Sequence, residues 1–125
     1  MDRSSRELKK TNRELNSQHL AALEREGSDL GAAHTTWHQF DLLDDSGVGT
    51  LRSLLLASGF HVFKVAKLPI ADPQTVNFHW RLEAELKVVP MLPSLHEMTD
   101  YCCDLARMAD AEYLGWYAQP VRLNK

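Results

Sequence analysis

The clearest pattern in the chain is a strict alternation of apolar and polar residues over residues 76–88. Apolar side chains occupy Val76 and every second position as far as Val88, and polar or charged side chains lie between them. Because a β-strand directs successive side chains to opposite faces, this segment predicts a strand with one apolar and one polar face. Such a strand is typical of an antiparallel sheet that packs on one side and is open on the other.

Three further segments, residues 34–43, 60–68 and 111–118, predict strands because they are rich in β-branched and aromatic residues. In the first of them, alternation directs Phe40 to the core and Trp37 to the open face of the sheet. We expect an N-terminal helix to cover this tryptophan.

The last predicted strand reads AEYLGWYA. Alternation places Leu114 and Trp116 in the core, and Tyr113, Gly115 and Tyr117 on the opposite face. The two tyrosines are therefore candidates for contact with a partner, whereas Trp116 is expected to close the core.

The first two helices are marked by the residues that end them. Residues 5–26 contain no Pro or Gly and are followed by Gly27, a residue common just past a helix end. A second helix is predicted to begin within residues 44–50, where several side chains can cap it, and to end at Gly59.

A third helix is predicted to begin at Leu95, because Ser94 and Glu97 have the spacing of a capping box. Cys102 falls on the apolar stripe of this helix and is expected in the core. Cys103 lies off the stripe and is expected to be more exposed.

The predicted elements follow the order helix, strand, helix, strand, strand, helix, strand. This order indicates an α+β fold: a ferredoxin-like two-layer sandwich (βαββαβ, a four-stranded antiparallel sheet with two helices on one face) preceded by an N-terminal helix. We expect residues 1–30 to form the N-terminal helix and turn, and residues 31–125 to form the ferredoxin-like part of the same domain.

Composition and charge narrow the class of function. The 125 residues carry 17 acidic and 14 basic side chains, a net charge of −3, with no concentrated basic segment for a nucleic-acid partner. There is no apolar stretch of the ~20 residues that a membrane span needs, and the charged N-terminus lacks the pattern of a secretory signal. Two adjacent cysteines make no disulfide framework, so we expect a cytoplasmic protein without a membrane partner.

Catalytic and metal-binding motifs are absent from the sequence. Six histidines occur, but His34 and His38 on a strand would lie about 13 Å apart, too far to share a zinc ion. A pairing of His38 with His79 across the sheet stays open. No nucleophile motif or phosphate-binding glycine loop occurs. We therefore expect no metal, no cofactor and no catalytic residues; an enzyme or a small-molecule sensor would need a deep polar pocket.

The open face of the sheet is the candidate surface for a partner. RNA-recognition domains share this order of elements and stack bases on aromatic side chains of that face. Here Phe78 and Trp80 follow the core register, and the open face presents charges of both signs, which disfavours direct nucleic-acid binding. A single-stranded RNA-binding domain remains the alternative. The candidate residues are Trp37, His79, Arg81, Tyr113 and Tyr117, and a combined change of His38, His79 and Arg81 is the variant that would test this face.

Four spaced motifs resemble the small bacterial regulators of ribonuclease E, type B. They are EREGSD (residues 24–29), HQF (38–40), SGFHV (58–62) and ADAEYLGW (109–116). The residues that carry the resemblance are Gly27, Ser28, Asp29, His38, Phe40, Gly59, Asp110, Tyr113, Gly115 and Trp116, and we expect their role to be mainly structural.

The resemblance implies a non-catalytic bacterial cytoplasmic protein with a ferredoxin-like sandwich and no cofactor. It implies that the protein binds ribonuclease E or its degradosome and inhibits the nuclease, which alters RNA turnover. The similar enterobacterial form ends in an acidic tail, whereas this chain ends in VRLNK. A protein-interaction module of the same fold with a different partner is the second alternative, and the open sheet edges also suit a homodimer.

Overall fold

A computed structural model of the protein describes residues 3–69 and 78–122. The elements in chain order are α1 (Arg3–Arg25), β1 (His34–Leu42), α2 (Asp45–Ala57), β2 (His61–Lys67), β3 (Trp80–Val88), α3 (Leu92–Met108) and β4 (Ala111–Ala118). The strands form one antiparallel sheet in the order β2-β3-β1-β4. This arrangement confirms the predicted α+β sandwich with a helix preceding it.

The two central strands pair along their whole length. The register runs from His34 opposite Val88 to Leu42 opposite Trp80. The strands β2 and β4 flank this pair and form the two edges of the sheet. The strand predicted over residues 76–88 begins at Trp80; residues 78 and 79 precede it, and residues 76 and 77 lie outside the described residues.

The core lies between the sheet and the helices α2 and α3. Its buried residues are Phe40, Leu42, Leu51, Leu55, Phe60, Leu82, Ala84, Cys102, Leu105, Ala106 and Ala109. Phe40 and Leu82 are fully buried, as the alternation of β1 and β3 predicts, and each such side chain contributes about 1.5–3 kcal/mol of hydrophobic stabilisation. A second cluster joins Leu95 and Met98 of α3 to Trp116.

The helix α2 begins and ends where the sequence predicts. The carboxylate of Asp44 accepts a hydrogen bond from the backbone N–H of Gly47 over 2.8 Å and caps the first turn. The helix ends before Gly59, which has φ = +90°, a conformation that favours glycine.

The prediction for the start of α3 was wrong. The helix begins at Leu92 rather than Leu95, and no side chain caps its first turn. Pro93 is compatible with this earlier start because the first backbone N–H groups of a helix have no partner within it. Cys103 is more exposed than Cys102, as predicted, at 7% against 0%. It is nevertheless buried, because α1 covers it and Asn12 donates a hydrogen bond to its sulfur over 3.3 Å.

The helix α1 packs against α3, on the helical side of the sandwich. Ion pairs join Lys9 to Asp104 at 2.8 Å and Arg13 to Asp100 at 2.5 Å. The expectation that this helix covers Trp37 was therefore wrong, because the apolar and polar partners that α1 needs lie on the opposite side of the sheet.

A β-bulge in β4 overturns the predicted alternation of that strand. Phe40 pairs with Tyr113 and Gln39 pairs with Gly115, so Leu114 is one extra residue between them. The bulge turns Tyr113 towards the core and leaves Leu114 42% exposed, the reverse of the prediction. Gly115 allows it, because its φ of +113° is strained for any residue with a Cβ.

Candidate protein-interaction surface

The open face is the side of the sheet opposite α2 and α3. It holds an aromatic pair at one end of the central strands. Trp37 and Tyr117 are cross-strand partners, and their rings stack with centroids 5.1 Å apart and planes 28° apart. Tyr117 is 48% exposed, and Trp37 is half-buried and donates its indole N–H to Glu85 over 3.2 Å. We call Trp37, Tyr117 and Glu85 the aromatic patch.

Charged side chains on the open face pair with one another across strands. Arg81 donates two hydrogen bonds to the buried Asp41, at 2.8 and 3.1 Å, and this contact raises the pKa of the guanidinium. Lys64 lies 3.8 Å from Glu83, and a ring nitrogen of His61 lies 3.2 Å from Glu85. The polar row of β3 therefore makes cross-strand contacts to β1 and β2, of which the Arg81–Asp41 ion pair has the shortest distance.

His79 and Arg81 lie at the other end of the central strands from the aromatic patch. His79 is exposed, and its backbone N–H donates to the carbonyl of Leu42 over 2.8 Å. Arg81 and Glu85 are four positions apart along β3, a distance of about 13 Å. The structure thus brings Trp37 and Tyr117 together but separates them from His79 and Arg81.

Tyr113, predicted on the open face, lies against the core instead. Its ring contacts Phe40, and its hydroxyl lies 2.8 Å from Nδ1 of His38. His38 is fully buried, so the prediction that it belongs to the open face was also wrong. It lies opposite Ala84 on β3 and does not approach His79. Tyr113 faces the core because of the β4 bulge. His38 faces the core because it is two residues from Phe40 on β1 and therefore lies on the same face.

The buried cluster around His38 is a set of neutral groups. Nε2 of His38 lies 2.7 Å from the hydroxyl of Thr36, and Nδ1 lies 3.8 Å from the sulfur of Cys102. Burial lowers the pKa of His38 to about 3, and it raises the pKa values of Cys102 and Tyr113. A neutral thiol beside an unprotonated imidazole is not an activated nucleophile at pH 7.

The glycine-serine-aspartate turn after α1 contacts the C-terminal end of the described chain. The hydroxyl oxygen of Ser28 accepts a hydrogen bond from the backbone N–H of Val121 over 2.9 Å and lies 2.5 Å from Nε2 of His34. The backbone N–H of Asp29 donates to the carbonyl of Val121 over 2.6 Å. Gly27 has φ = +80°, which permits the turn. These contacts link the turn after α1 to the segment that follows β4.

The remaining motif residues also lie in structural positions. Phe40 and Trp116 are buried at 0% and 6% exposure. Asp110 has φ = 52° in the turn that connects α3 to β4. None of these three residues contributes a side chain to the aromatic patch.

We also searched the described residues for metal sites, membrane-spanning helices and cavities. Residues 3–69 and 78–122 contain no group of three side chains able to hold a metal ion. Within the same ranges, no helix has the length and apolar character to cross a membrane. An open cavity of about 300 Å³ lies between α3, the end of β3 and the segment that follows α2, lined by Ser58, Phe60, Met98 and Tyr101 among others.

Sequence reasoning missed two members of the site. Glu85 was noted only as part of a polar row, although it holds Trp37 and lies beside His61. Asp41 was likewise missed as the partner of Arg81. Opposite charges at paired register positions are the signal that identifies such contacts once the strand register is known.

A family model described as Regulator of ribonuclease activity B matches residues 13–117 of the chain, from within α1 almost to the end of β4. The match spans all four motifs and confirms the resemblance based on them. No curated protein matches the chain.

Proposed function

The chain belongs to the family of regulators of ribonuclease activity B, and from this membership we propose that it binds ribonuclease E and lowers its endonuclease activity. The observation that carries the proposal is the match over residues 13–117, which covers the sandwich rather than one motif. The regulator would act by contact alone, as a non-catalytic protein of the bacterial cytoplasm.

We assign the contact to the aromatic patch. Tyrosine and tryptophan are enriched among the residues that dominate binding energy at protein interfaces, because each buries a large area at a low entropic cost. Trp37 and Tyr117 are already held by their mutual stacking and by Glu85, so little ordering would be needed on binding. The paired charges on the rest of the face supply a polar rim.

A reconstituted assay tests the proposal. Purified ribonuclease E from the same host is mixed with the protein, and binding and the rate of cleavage of an end-labelled RNA are measured. We expect slower cleavage with the wild type, and about thirtyfold weaker binding for the Trp37→Ala/Tyr117→Ala variant, which corresponds to hot-spot losses of ~2 kcal/mol.

The matched control is Tyr101→Ala, since Tyr101 is 45% exposed and lies on α3, away from the open face. It is expected to bind like the wild type. Absence of binding to ribonuclease E by the wild-type protein contradicts the proposal. An equal loss in the Tyr101 variant contradicts the assignment to the aromatic patch.

Single-stranded RNA binding is the second candidate, because stacked rings on the open face of a sheet suit base stacking. The carboxylates of Glu83 and Glu85 on the same face oppose it, since they repel a phosphate backbone. RNA binding predicts quenching of Trp37 fluorescence by a short oligonucleotide at low salt, lost in Trp37→Phe. No binding at low salt removes this candidate.

The N-terminal helix is proposed to be part of the binding-competent unit. Asn16 and Leu23 of α1 are buried against the rest of the sandwich, so residues 1–30 and 31–125 are proposed to form one domain. A chain lacking residues 1–30 is expected to lose cooperative unfolding. A homodimer through an open sheet edge stays a prediction, to be checked by analytical ultracentrifugation.

A further inference from the structure

The open cavity on the helical side of the sandwich is a groove with apolar walls, and we call it the α3 groove. Its volume of about 300 Å³ is at the lower end of the range of ~300–1,000 Å³ that is typical of ligand pockets. Phe60 and Val88 are among its lining residues. Three exposed apolar side chains, Val89, Met91 and Leu92, follow Val88 between β3 and the first turn of α3. A cleft bordered by exposed apolar residues is typical of a contact site for another protein.

One carboxylate gives the α3 groove its charge. Glu97 is the charged side chain among the described lining residues, and no described residue forms an ion pair or hydrogen bond with it. The basic side chains adjacent in sequence to lining residues face elsewhere. Lys87 follows the open-face register of β3, His61 contacts Glu85 on that face, and His96 contacts α1. The groove therefore favours a cation and disfavours a phosphate.

The end of α2 adds negative partial charge to the same groove. Ser58, a lining residue, is the C-cap of this helix, and the last helical turn contains no basic side chain. The last carbonyl groups of a helix carry a partial negative charge that a cation stabilises. The first turn of α3, at Ser94, has no side-chain cap and offers N–H donors to carbonyl oxygens. The groove thus suits a cationic side chain that is carried by a peptide backbone.

Tyr101 makes the groove selective for one kind of cation. It follows Glu97 by four residues, so the ring and the carboxylate lie on one face of α3. Its hydroxyl lies 2.5 Å from the hydroxyl of Ser58, so the ring spans from α3 to the segment after α2 and is held there. A guanidinium is planar and can stack on such a ring while it donates two hydrogen bonds to a carboxylate. An ammonium lacks the flat face and the paired donors for this geometry.

We propose that the α3 groove binds an arginine side chain within an apolar segment of a partner protein. The guanidinium pairs with Glu97 and stacks on Tyr101, and the arginine stem lies along Phe60 and Val88. Apolar residues beside the arginine contact the exposed side chains between β3 and α3. The groove is on the helical side of the sheet and the aromatic patch is on the open face, so this inference does not depend on the proposed function.

The test uses the full-length protein and a labelled nine-residue peptide with one arginine between two leucines, completed with glycine and serine. We expect saturable binding in fluorescence anisotropy, and shifts of NMR amide resonances centred on residues 58–60 and 94–101. A peptide with citrulline, the neutral analogue of arginine, should bind about tenfold more weakly, because it loses the ion pair and the cation–π contact. A lysine peptide should bind about threefold more weakly, because it cannot make the paired hydrogen bonds.

Substitutions in the groove assign the two contacts. Glu97→Gln and Tyr101→Leu should each weaken binding of the arginine peptide about threefold, and the double variant about tenfold. Tyr101→Phe keeps the ring and should bind within about twofold of the wild type. Glu112→Gln removes an equal charge at an exposed position of β4 and is the matched control, which should bind like the wild type. Circular dichroism and thermal unfolding check that each variant is folded.

Two variants separate this proposal from the proposed function. Trp37→Ala/Tyr117→Ala should bind the arginine peptide like the wild type. Tyr101→Ala should lose binding of the peptide and keep binding of ribonuclease E. Failure of the peptide to bind a protein that still binds ribonuclease E overturns this proposal alone.

Several outcomes overturn the proposal. They are no saturable binding of the arginine peptide, equal binding of the citrulline peptide, an equal loss in Glu112→Gln, and amide shifts confined to other parts of the chain. N-acetylarginine amide that binds as tightly as the peptide assigns the groove to a small guanidinium ligand instead. Self-association of the wild type that Glu97→Lys abolishes assigns it to a second copy of the chain.

Discussion

The indole N–H of Trp116 donates a hydrogen bond to Oδ1 of Asn16 over 2.8 Å, and this bond joins β4 to the N-terminal helix. The amide of Asn16 also lies 3.0 Å from the hydroxyl of Thr99 and 3.1 Å from a ring nitrogen of His96. One fully buried side chain of α1 thus satisfies polar groups on both α3 and β4. Buried networks of this kind stabilise a fold only when each member has its partners.

Asn16→Leu is therefore expected to destabilise the protein although it adds an apolar residue. The change leaves the indole N–H of Trp116 buried without an acceptor, which costs about 1–3 kcal/mol. Urea unfolding followed by circular dichroism measures the loss. Gln18→Leu, at an exposed position of the same helix, is the control and should change the stability by less than about 0.5 kcal/mol. Equal stability of the two variants would contradict the role given to Asn16.

Gly115→Ala is expected to destabilise the protein by about 1–3 kcal/mol through backbone strain alone. The φ of Gly115 is +113°, yet a Cβ at this position meets no atom within 4 Å. Gly49 is equally uncrowded but lies in α2 without a positive φ. Gly49→Ala should therefore stabilise the protein by about 0.5–1 kcal/mol. Thermal unfolding of both variants checks the opposite signs, and a stable Gly115 variant would be inconsistent with the bulge.

The architecture could be predicted from the sequence because its signals are local. Alternation in β3 and the caps of α2 depend on neighbouring residues, and both predictions agree with the structure at Leu82 and Asp44. The predictions were wrong or incomplete at positions whose structure depends on contacts between distant parts of the chain. The bulge at Leu114 depends on pairing with β1, and the burial of Cys103 depends on the docking of α1. The bulge also affects the candidate site. Trp37 and Tyr117 lie on the open face, whereas Tyr113 lies against the core.

The two cysteines are expected to react slowly with a thiol reagent in the folded protein. Both are buried, and burial raises the pKa of each thiol, so little thiolate is present at pH 8. Reaction with an aromatic disulfide reagent should be far slower than for free cysteine, and denaturant should reveal two reactive thiols. Cys103 should react first after Asn12→Ala, because that side chain covers its sulfur. Rapid reaction of the native wild type would contradict the docking of α1.

His38 is expected to make the stability fall as the pH is lowered. Its pKa is about 3 in the folded protein and ~6.5 in an unfolded chain. The unfolded state therefore takes up a proton that the folded state does not. The contribution to stability is complete above pH ~6.5 and is lost below it, with a slope of up to about 1.4 kcal/mol per pH unit down to pH ~3.

Comparison with His38→Gln isolates this effect. Glutamine does not titrate, so the variant is less stable at pH 7 but should lose less stability between pH 6.5 and pH 4.5 than the wild type. Its amide can still reach the hydroxyls of Thr36 and Tyr113, which lie 2.7 and 2.8 Å from the imidazole nitrogens. Gln18→Leu, an exposed position of α1 whose side chain does not titrate, should keep the wild-type pH dependence. Parallel curves for the wild type and His38→Gln would mean that the imidazole is protonated within the folded core.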